Sequence, residues 1–178
     1  MKYLFIILLF LFSCSMEIIP ENKSIGIDTI TVIFEQGFTD AEKLIIDLEK
    51  CKGKRLGLNF NKYYSHCSIM IDSMIYDTHP KHGVICNKFA PNDRNREFIE
   101  ISVDNKQEIK NKLDYLDDTE NVYYYEGVVF QGIYMQIGIW LGNKEPHKFY
   151  CSKLVSYVLG YPNYYKMDIL DVYVKVKK

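Results

Sequence analysis

The sequence predicts an α+β fold in which an antiparallel sheet packs against helices. Runs of β-branched and aromatic residues that are typical of strands occur at 27–34, 64–71, 74–78 and 98–103. The second and third runs are separated only by Asp72-Ser73, which indicates a hairpin and therefore antiparallel pairing. Apolar residues at helical spacing occupy segments between the runs, and 178 residues are enough for one domain with a substantial core.

The first half of the chain is expected to contain a strand over residues 27–34 and then a helix. Thr39 and Glu42 have the spacing of a capping box, and apolar residues three and four apart continue the helix to about Cys51. Gly53 and Gly57 should end this helix and begin a polar loop.

The predicted hairpin determines which side chains share a face of the sheet. If the residues that flank Asp72-Ser73 pair with each other, His66 lies opposite His79, and Asp77 projects to the same side as both histidines. Cys67 and the alternate residues after it then project to the other side, toward the core.

The second half is expected to begin with a strand over 98–103 and a helix capped by Asp104 and Gln107. The apolar stripe of this helix consists of Ile109, Leu113 and Leu116. The aromatic stretch 122–140 is interrupted by glycines and receives no assignment. Valines alternate with tyrosine and lysine over 172–177, so we expect the chain to close on a half-buried strand.

The N-terminal segment is not expected to belong to the domain. Lys2 precedes an apolar run over residues 3–12, which has the length of a secretory signal and is too short to span a bilayer. The residues around Cys14 also resemble a bacterial lipobox, in which the cysteine is lipidated. We therefore expect a signal peptide over 1–13, a tether over 14–26 held to a membrane through Cys14, and a single folded domain over 27–178; plain signal cleavage is the alternative. The protein would be exported and anchored in the cell envelope.

The charge of the chain argues against nucleic acid as a partner, and its cysteines restrict disulfide pairing. The net charge of −1 provides no basic footprint for nucleic acid. Beyond Cys14 the cysteines are Cys51, Cys67, Cys86 and Cys151. If Cys151 is a nucleophile, as argued next, its thiol must be free, and the other three cysteines then form either one disulfide or none.

Cys151 is a candidate nucleophile because of its position at the start of a predicted helix. The residues three, four, seven and eight positions further on are Leu154, Val155, Val158 and Leu159. Cys151 therefore heads an apolar stripe that points toward the sheet. The positive end of the helix dipole lowers the pKa of such a thiol. A small core cysteine is the alternative interpretation.

His66 is the candidate base for this nucleophile. A histidine in that role needs a neighbour that fixes its tautomer and stabilises the imidazolium. Asp77 is the best candidate because it is anionic and shares the face of His66, and His79 is the alternative third member.

Together these motifs resemble the circularly permuted branch of the NlpC-type papain-like superfamily, which includes the lecithin retinol acyltransferase-like proteins. Ser65-His66 is similar to the histidine motif, and Tyr150-Cys151-Ser152 is similar to the cysteine motif. The histidine precedes the cysteine, which is the reverse of papain. Relatives often carry Glu at the position of Asp77 and an aliphatic residue at the position of Cys67. The matching motifs are confined to 64–78 and 149–160.

The resemblance implies a permuted papain-like fold and thiol hydrolase or acyl-transfer chemistry without a cofactor. His66 would deprotonate Cys151, whose thiolate would attack an amide or ester carbonyl to form an acyl-enzyme. The backbone N–H of Cys151 would help to bind the oxyanion. A peptide amide of the cell wall is the first candidate substrate and a lipid ester or thioester the second, and no residue separates the two.

A metal site is a weak alternative function, and a binding module without catalysis is the main rival. Cys67, His79, His82 and Cys86 carry metal-ligand atoms, but they lack the paired spacing of zinc sites, so no metal is expected. A non-catalytic envelope lipoprotein could line a glycan or lipid groove with the aromatic residues over 123–140. The presence of a histidine, an acid and a cysteine together favours the enzyme.

Overall fold

The computed structural model describes residues 28–92, 94–119, 121–142, 144–145 and 147–178. The predicted signal peptide, Cys14 and the tether lie outside these residues. Within the part of the chain that is described, no helix is both long enough and apolar enough to cross a membrane.

The fold is α+β, as predicted, with helices around an antiparallel sheet. The strands are β1 (Asp28–Gln36), β2 (His66–Ile71), β3 (Met74–His79), β4 (Gly83–Lys88), β5 (Asn95–Val103), β6 (Val122–Tyr123) and β7 (Lys148–Phe149). The helices are α1 (Asp40–Arg55), α2 (Lys106–Asp118), α3 (Tyr125–Ile137), α4 (Cys151–Val158) and α5 (Ile169–Val176), with a short 3₁₀ turn at Tyr164–Lys166. The main sheet has the antiparallel order β4-β3-β2-β1-β5, and β6 pairs with β7 in parallel.

The predicted hairpin register is confirmed. Ile71 pairs with Met74, and the ladder between β2 and β3 extends to Ile69 opposite Tyr76. The φ angles of Asp72 and Ser73 are 50° and 65°, which suits a two-residue hairpin turn. The core face of β2 carries Cys67, Ile69 and Ile71, which are buried together with Leu154 and Val155 of α4. The side chains of His66 and Asp77 therefore lie on the face of the hairpin that points away from this core.

The predicted C-terminal strand is wrong, because residues 169–176 form the helix α5. Asp168 accepts a hydrogen bond from the backbone N–H of Asp171 and the side chain of Asp171 bonds back, which completes a capping box. The buried residues of this helix are Ile169, Leu170, Val172, Tyr173 and Val176. Their spacing is that of a helical stripe, so the alternation of valines was a coincidence of composition.

Other boundaries also differ from those predicted. Helix α1 continues through Gly53 to Arg55 instead of ending near Cys51. The N-cap of α2 is Asn105, whose side chain accepts a hydrogen bond from Glu108, and not Asp104 or Gln107. Strands β4 and β7 were not predicted, and the unassigned stretch 122–140 forms β6 and α3.

A buried ionic cluster joins α1 to the N-terminus of α5. The Nζ atom of Lys52 lies 2.5 Å from a carboxylate oxygen of Asp168 and 2.5 Å from one of Asp171. The carboxylate of Glu49 accepts the backbone N–H groups of residues 169 and 170 at 3.1 and 3.2 Å. One ammonium thus faces three carboxylates, and burial together with the charge of Asp168 raises the pKa of Glu49 well above its usual range.

Candidate active site

Helix α4 begins at Cys151, as predicted, and places its thiol in the core. Cys151 is 9% exposed, and Leu154, Val155 and Val158 are buried behind it. The opposite face of the helix is also covered, because Ser152 and Ser156 are buried and hydrogen-bonded. Ser152 donates to the carbonyl of Met167 at 2.9 Å, and Ser156 donates to the carbonyl of Ser152 at 2.6 Å. The helix is therefore held on both sides, which gives the thiol a defined position.

Lys153 fixes the segment that leads into Cys151, a role that sequence reasoning did not identify. Its Nζ atom donates to the carbonyl oxygens of residues 144, 145 and 148 at 3.2, 2.5 and 2.7 Å. Burial lowers the pKa of Lys153 to about 8. Three carbonyl partners and the ring of Phe149, whose centroid lies 5.4 Å from the Nζ atom, compensate for its removal from water.

The structure brings His66 and Cys151 together at the open end of the hairpin. Pairing between β2 and β3 stops at Ile69, so these two strands separate before they reach His66. Cys151, at the start of α4, interacts in this region with the side chain and backbone N–H of Cys67 and with the imidazole of His66, and these interactions lower its pKa. The thiol is therefore near two consecutive residues of β2 whose side chains project in opposite directions.

Asp77 is the acidic partner of His66. The Oδ1 atom of Asp77 lies 2.7 Å from Nε2 of His66 and also accepts the backbone N–H of Thr78 at 2.6 Å. Because Nε2 is occupied, Nδ1 is the ring atom left to face the sulfur of Cys151. The side chains of His66 and Asp77 are 19% and 31% exposed, so the pair is accessible from solvent.

His79, the alternative third member, has other contacts in the structure. Its ring stacks on that of His82 with the centroids 4.8 Å apart. Its Nδ1 atom accepts the backbone N–H of Lys81 at 3.2 Å. The geometry thus associates the imidazole of His66 with the carboxylate of Asp77.

The electrostatics of the site favour a thiolate and an imidazolium. A hydrogen bond from the thiol of Cys67 and the charge of His66 hold the pKa of Cys151 well below its ordinary value, against the effect of burial. Burial opposes protonation of His66, but the charges of Asp77 and Cys151 raise its pKa well above the usual range. Each member of the pair therefore stabilises the charged form of the other.

Cys67 is a further residue of the site that sequence reasoning placed only in the core. It is 1% exposed, and its side chain contacts the sulfur of Cys151. Burial and the hydrogen bond to Cys151 raise the pKa of Cys67 well above its ordinary value, so it remains a thiol and donates. The available signal was the cysteine at a position where the resemblance described above leads one to expect an aliphatic residue.

Tyr123 also lies at the site, and β6 and β7 position it there. Tyr123 pairs with Phe149, two residues before Cys151. Burial and the charges of Cys151, Tyr125 and Asp77 raise the pKa of Tyr123. Its hydroxyl therefore keeps its proton.

The described cysteines and histidines do not assemble into a metal centre. Cys51, Cys67, Cys86 and Cys151 are all free thiols. Among the described residues no group of three or more histidine, cysteine, aspartate or glutamate side chains is arranged to hold a metal ion.

Comparisons with family models, with curated proteins and with solved structures returned no match for this chain. The α+β class and the antiparallel sheet are therefore known from the structure and not from a relative. A function must therefore be inferred from the residues of the site and their geometry.

Proposed function

We propose that this protein is a cysteine hydrolase with a permuted papain-like arrangement, in which Cys151, His66 and Asp77 form the catalytic triad. The observation that supports it best is the continuous set of contacts from the carboxylate of Asp77, through the imidazole of His66, to the sulfur of Cys151. A nucleophile, a base and an orienting acid in hydrogen-bond reach are what acyl transfer through a thiol requires.

The reaction follows from the position of each group. The Cys151 thiolate attacks the substrate carbonyl, and backbone N–H groups at the start of α4 together with the hydroxyl of Tyr123 stabilise the oxyanion. His66 donates its proton to the leaving amine or alcohol, which leaves an acyl group on Cys151. Water, activated by His66, then releases the acid and restores the thiolate. Asp77 keeps Nδ1 of the imidazole directed at the sulfur.

A peptide amide of the cell wall is the preferred substrate. The reasons are the predicted export signal, the lipobox-like residues before Cys14 and the similarity of the motifs to the NlpC-type branch. The envelope location would bring the enzyme to such substrates without any further partner.

A lipid ester or thioester is the second candidate, and one observation supports it. Helix α3 and the segment after it, which follow the strand of Tyr123 in the chain, expose several large apolar residues. These residues are Val129, Ile137, Ile139 and Leu141, each more than half exposed. An apolar surface of this kind can hold an acyl chain.

Turnover measurements test the proposal directly. The purified protein is assayed on muropeptides and on short-chain esters and thioesters, with Cys151→Ala as the blank and Cys86→Ala as a matched cysteine control. We expect turnover by wild type and by Cys86→Ala and none by Cys151→Ala. The class of substrate that is cleaved decides between the two candidates. Turnover that survives in Cys151→Ala, or no turnover of any substrate, would refute the hydrolase and favour a binding lipoprotein.

A further inference from the structure

A second thiol lies close to the proposed nucleophile. Cys67 and Cys151 are buried in the same core cluster, and each affects the pKa of the other through their side chains. The two cysteines lie on different elements, β2 and α4. A core position next to a thiolate does not need a sulfur atom for packing, since an aliphatic side chain would fill it.

We propose that Cys67 and Cys151 form a peroxide-responsive thiol pair, in which oxidation of Cys151 ends in a reversible disulfide with Cys67. The proposal rests on the reactive Cys151 thiolate of the proposed function. The other two described cysteines have different surroundings. Cys51 is exposed on α1, and Cys86 lies on β4, where its backbone N–H donates to Asp117 at 2.9 Å. Cys67 is the cysteine whose sulfur is already in contact with Cys151.

The first step is attack of the Cys151 thiolate on hydrogen peroxide. The O–O bond breaks, one oxygen with its hydrogen becomes bonded to sulfur as a sulfenic acid, and hydroxide leaves. The imidazolium of His66 protonates that hydroxide to water. Peroxide is small enough to reach a sulfur that is 9% exposed beside the partly exposed imidazole.

The second step joins the two sulfurs. The Cys67 sulfur attacks the sulfenic sulfur of Cys151 and gives up its thiol proton. The S–S bond forms, the S–O bond breaks, and the departing hydroxide takes that proton and leaves as a second water. In total one peroxide is reduced to two waters and two thiols are oxidised to one disulfide.

The local electrostatics make the second step easier once the first has occurred. Burial is the largest cause of the raised pKa of Cys67, and the charge of the Cys151 thiolate adds to it. Conversion of Cys151 to a neutral sulfenic acid removes that charge, so Cys67 loses its proton more readily. The disulfide then occupies the nucleophile and abolishes catalysis, and it also prevents further oxidation of Cys151 to sulfinic and sulfonic acids.

Peptide mapping under non-reducing conditions tests the pair without any substrate. The full-length protein is treated with hydrogen peroxide, free thiols are alkylated, and the digest is analysed by mass spectrometry. In the wild type we expect a peptide that links Cys67 to Cys151 with the loss of two hydrogens, and dithiothreitol should restore alkylation of Cys151. Cys67→Ala should lose the link and carry Cys151 as sulfinic or sulfonic acid, whereas Cys86→Ala should behave as wild type.

Specific outcomes would overturn the pair. These are a wild type in which Cys151 is overoxidised without a link to Cys67, or a link that involves Cys51 or Cys86 instead. If circular dichroism shows that Cys67→Ala is unfolded, Cys67→Ser replaces it, since the hydroxyl keeps the size but cannot form the bond. The link is measured independently of turnover, so absence of hydrolysis would leave this result intact, and an active hydrolase without the link would refute this inference alone.

Discussion

Replacement of Asp77 by asparagine tests whether the carboxylate controls the reactivity of the nucleophile. The amide has the same shape and can still accept the backbone N–H of Thr78, which now bonds to Oδ1 at 2.6 Å. What is lost is the negative charge 2.7 Å from Nε2 of His66. The imidazolium should become less stable, and with it the Cys151 thiolate that it accompanies.

The size of the effect follows from the contact. A hydrogen bond to a charged group contributes about 1.5–3 kcal/mol. Because the side chain of Asp77 is 31% exposed, we use the lower half of this range, about 2 kcal/mol. Since each 1.4 kcal/mol is a factor of ten, the thiolate population should fall about 30-fold at a pH where the variant thiol is mostly protonated.

The rate of alkylation of Cys151 by iodoacetamide near pH 6, followed by mass spectrometry, measures that population. Asp72→Asn is the matched control, because Asp72 lies in the turn of the same hairpin and pairs with Lys106 at 2.6 Å. His79→Asn tests the alternative orienting residue. Wild-type alkylation in Asp77→Asn, or slow alkylation confined to His79→Asn, would refute the assignment of Asp77.

Three further predictions concern the ionic cluster and the substrate side of the site. Lys52→Met should reduce the free energy of unfolding in urea by about 3–5 kcal/mol, because it leaves buried carboxylates without their cation. Lys50→Met removes only an exposed ion pair with Asp47 and should cost at most about 1 kcal/mol. Equal losses in the two variants would contradict a stabilising role of the buried cluster. Burial and the charge of Asp171 raise the pKa of Asp168 from 3.8 to about 6. An acid whose folded pKa is raised loses its contribution to stability as pH rises from the unfolded value to the folded value. From pH 4 to pH 8 the wild type should therefore lose about 2–3 kcal/mol relative to Asp168→Asn in urea titrations, and parallel pH profiles of the two proteins would argue against the raised pKa. Tyr123→Phe should lower kcat about 2- to 10-fold through the loss of one neutral hydrogen bond to the oxyanion. The alkylation rate of Cys151 should stay at the wild-type value. A changed alkylation rate would mean that Tyr123 acts on the thiol and not on the oxyanion.

The parts of the fold that follow from short-range chemistry could be predicted from the sequence. The pairing of Ile71 with Met74 depends on a two-residue turn, and the alternation of side chains then places His66 and Asp77 on one face. The start of α4 at Cys151 follows in the same way from the spacing of the apolar residues after it. These features depend on residues within a few positions of one another.

The features that were missed depend on residues far apart in the chain or on competing local patterns. Valines at alternate positions over 172–176 suit a strand, but the capping box of Asp168 and Asp171 and the docking of that end onto Lys52 favour a helix. The contact between Cys67 and Cys151 joins residues on separate elements, so neither sequence neighbourhood contains it. The role of Lys153 likewise depends on carbonyls that only the folded loop presents.

The separation of β2 from β3 before His66 explains how one sulfur can meet both a base and a second thiol. In a continuous ladder the side chains of residues 66 and 67 would lie on opposite faces, and a group on α4 could reach only one of them. Because the ladder ends at Ile69, the backbone N–H of Cys67 is free to bond to Cys151, and the imidazole of His66 can reach the same sulfur from beside the strand. The helix supplies the thiol from the core side and the hairpin supplies the acid from the solvent side, so the site forms only when both layers of the fold are assembled. The same arrangement that lowers the pKa of Cys151, as the proposed catalysis requires, therefore also places Cys67 near enough for the proposed disulfide.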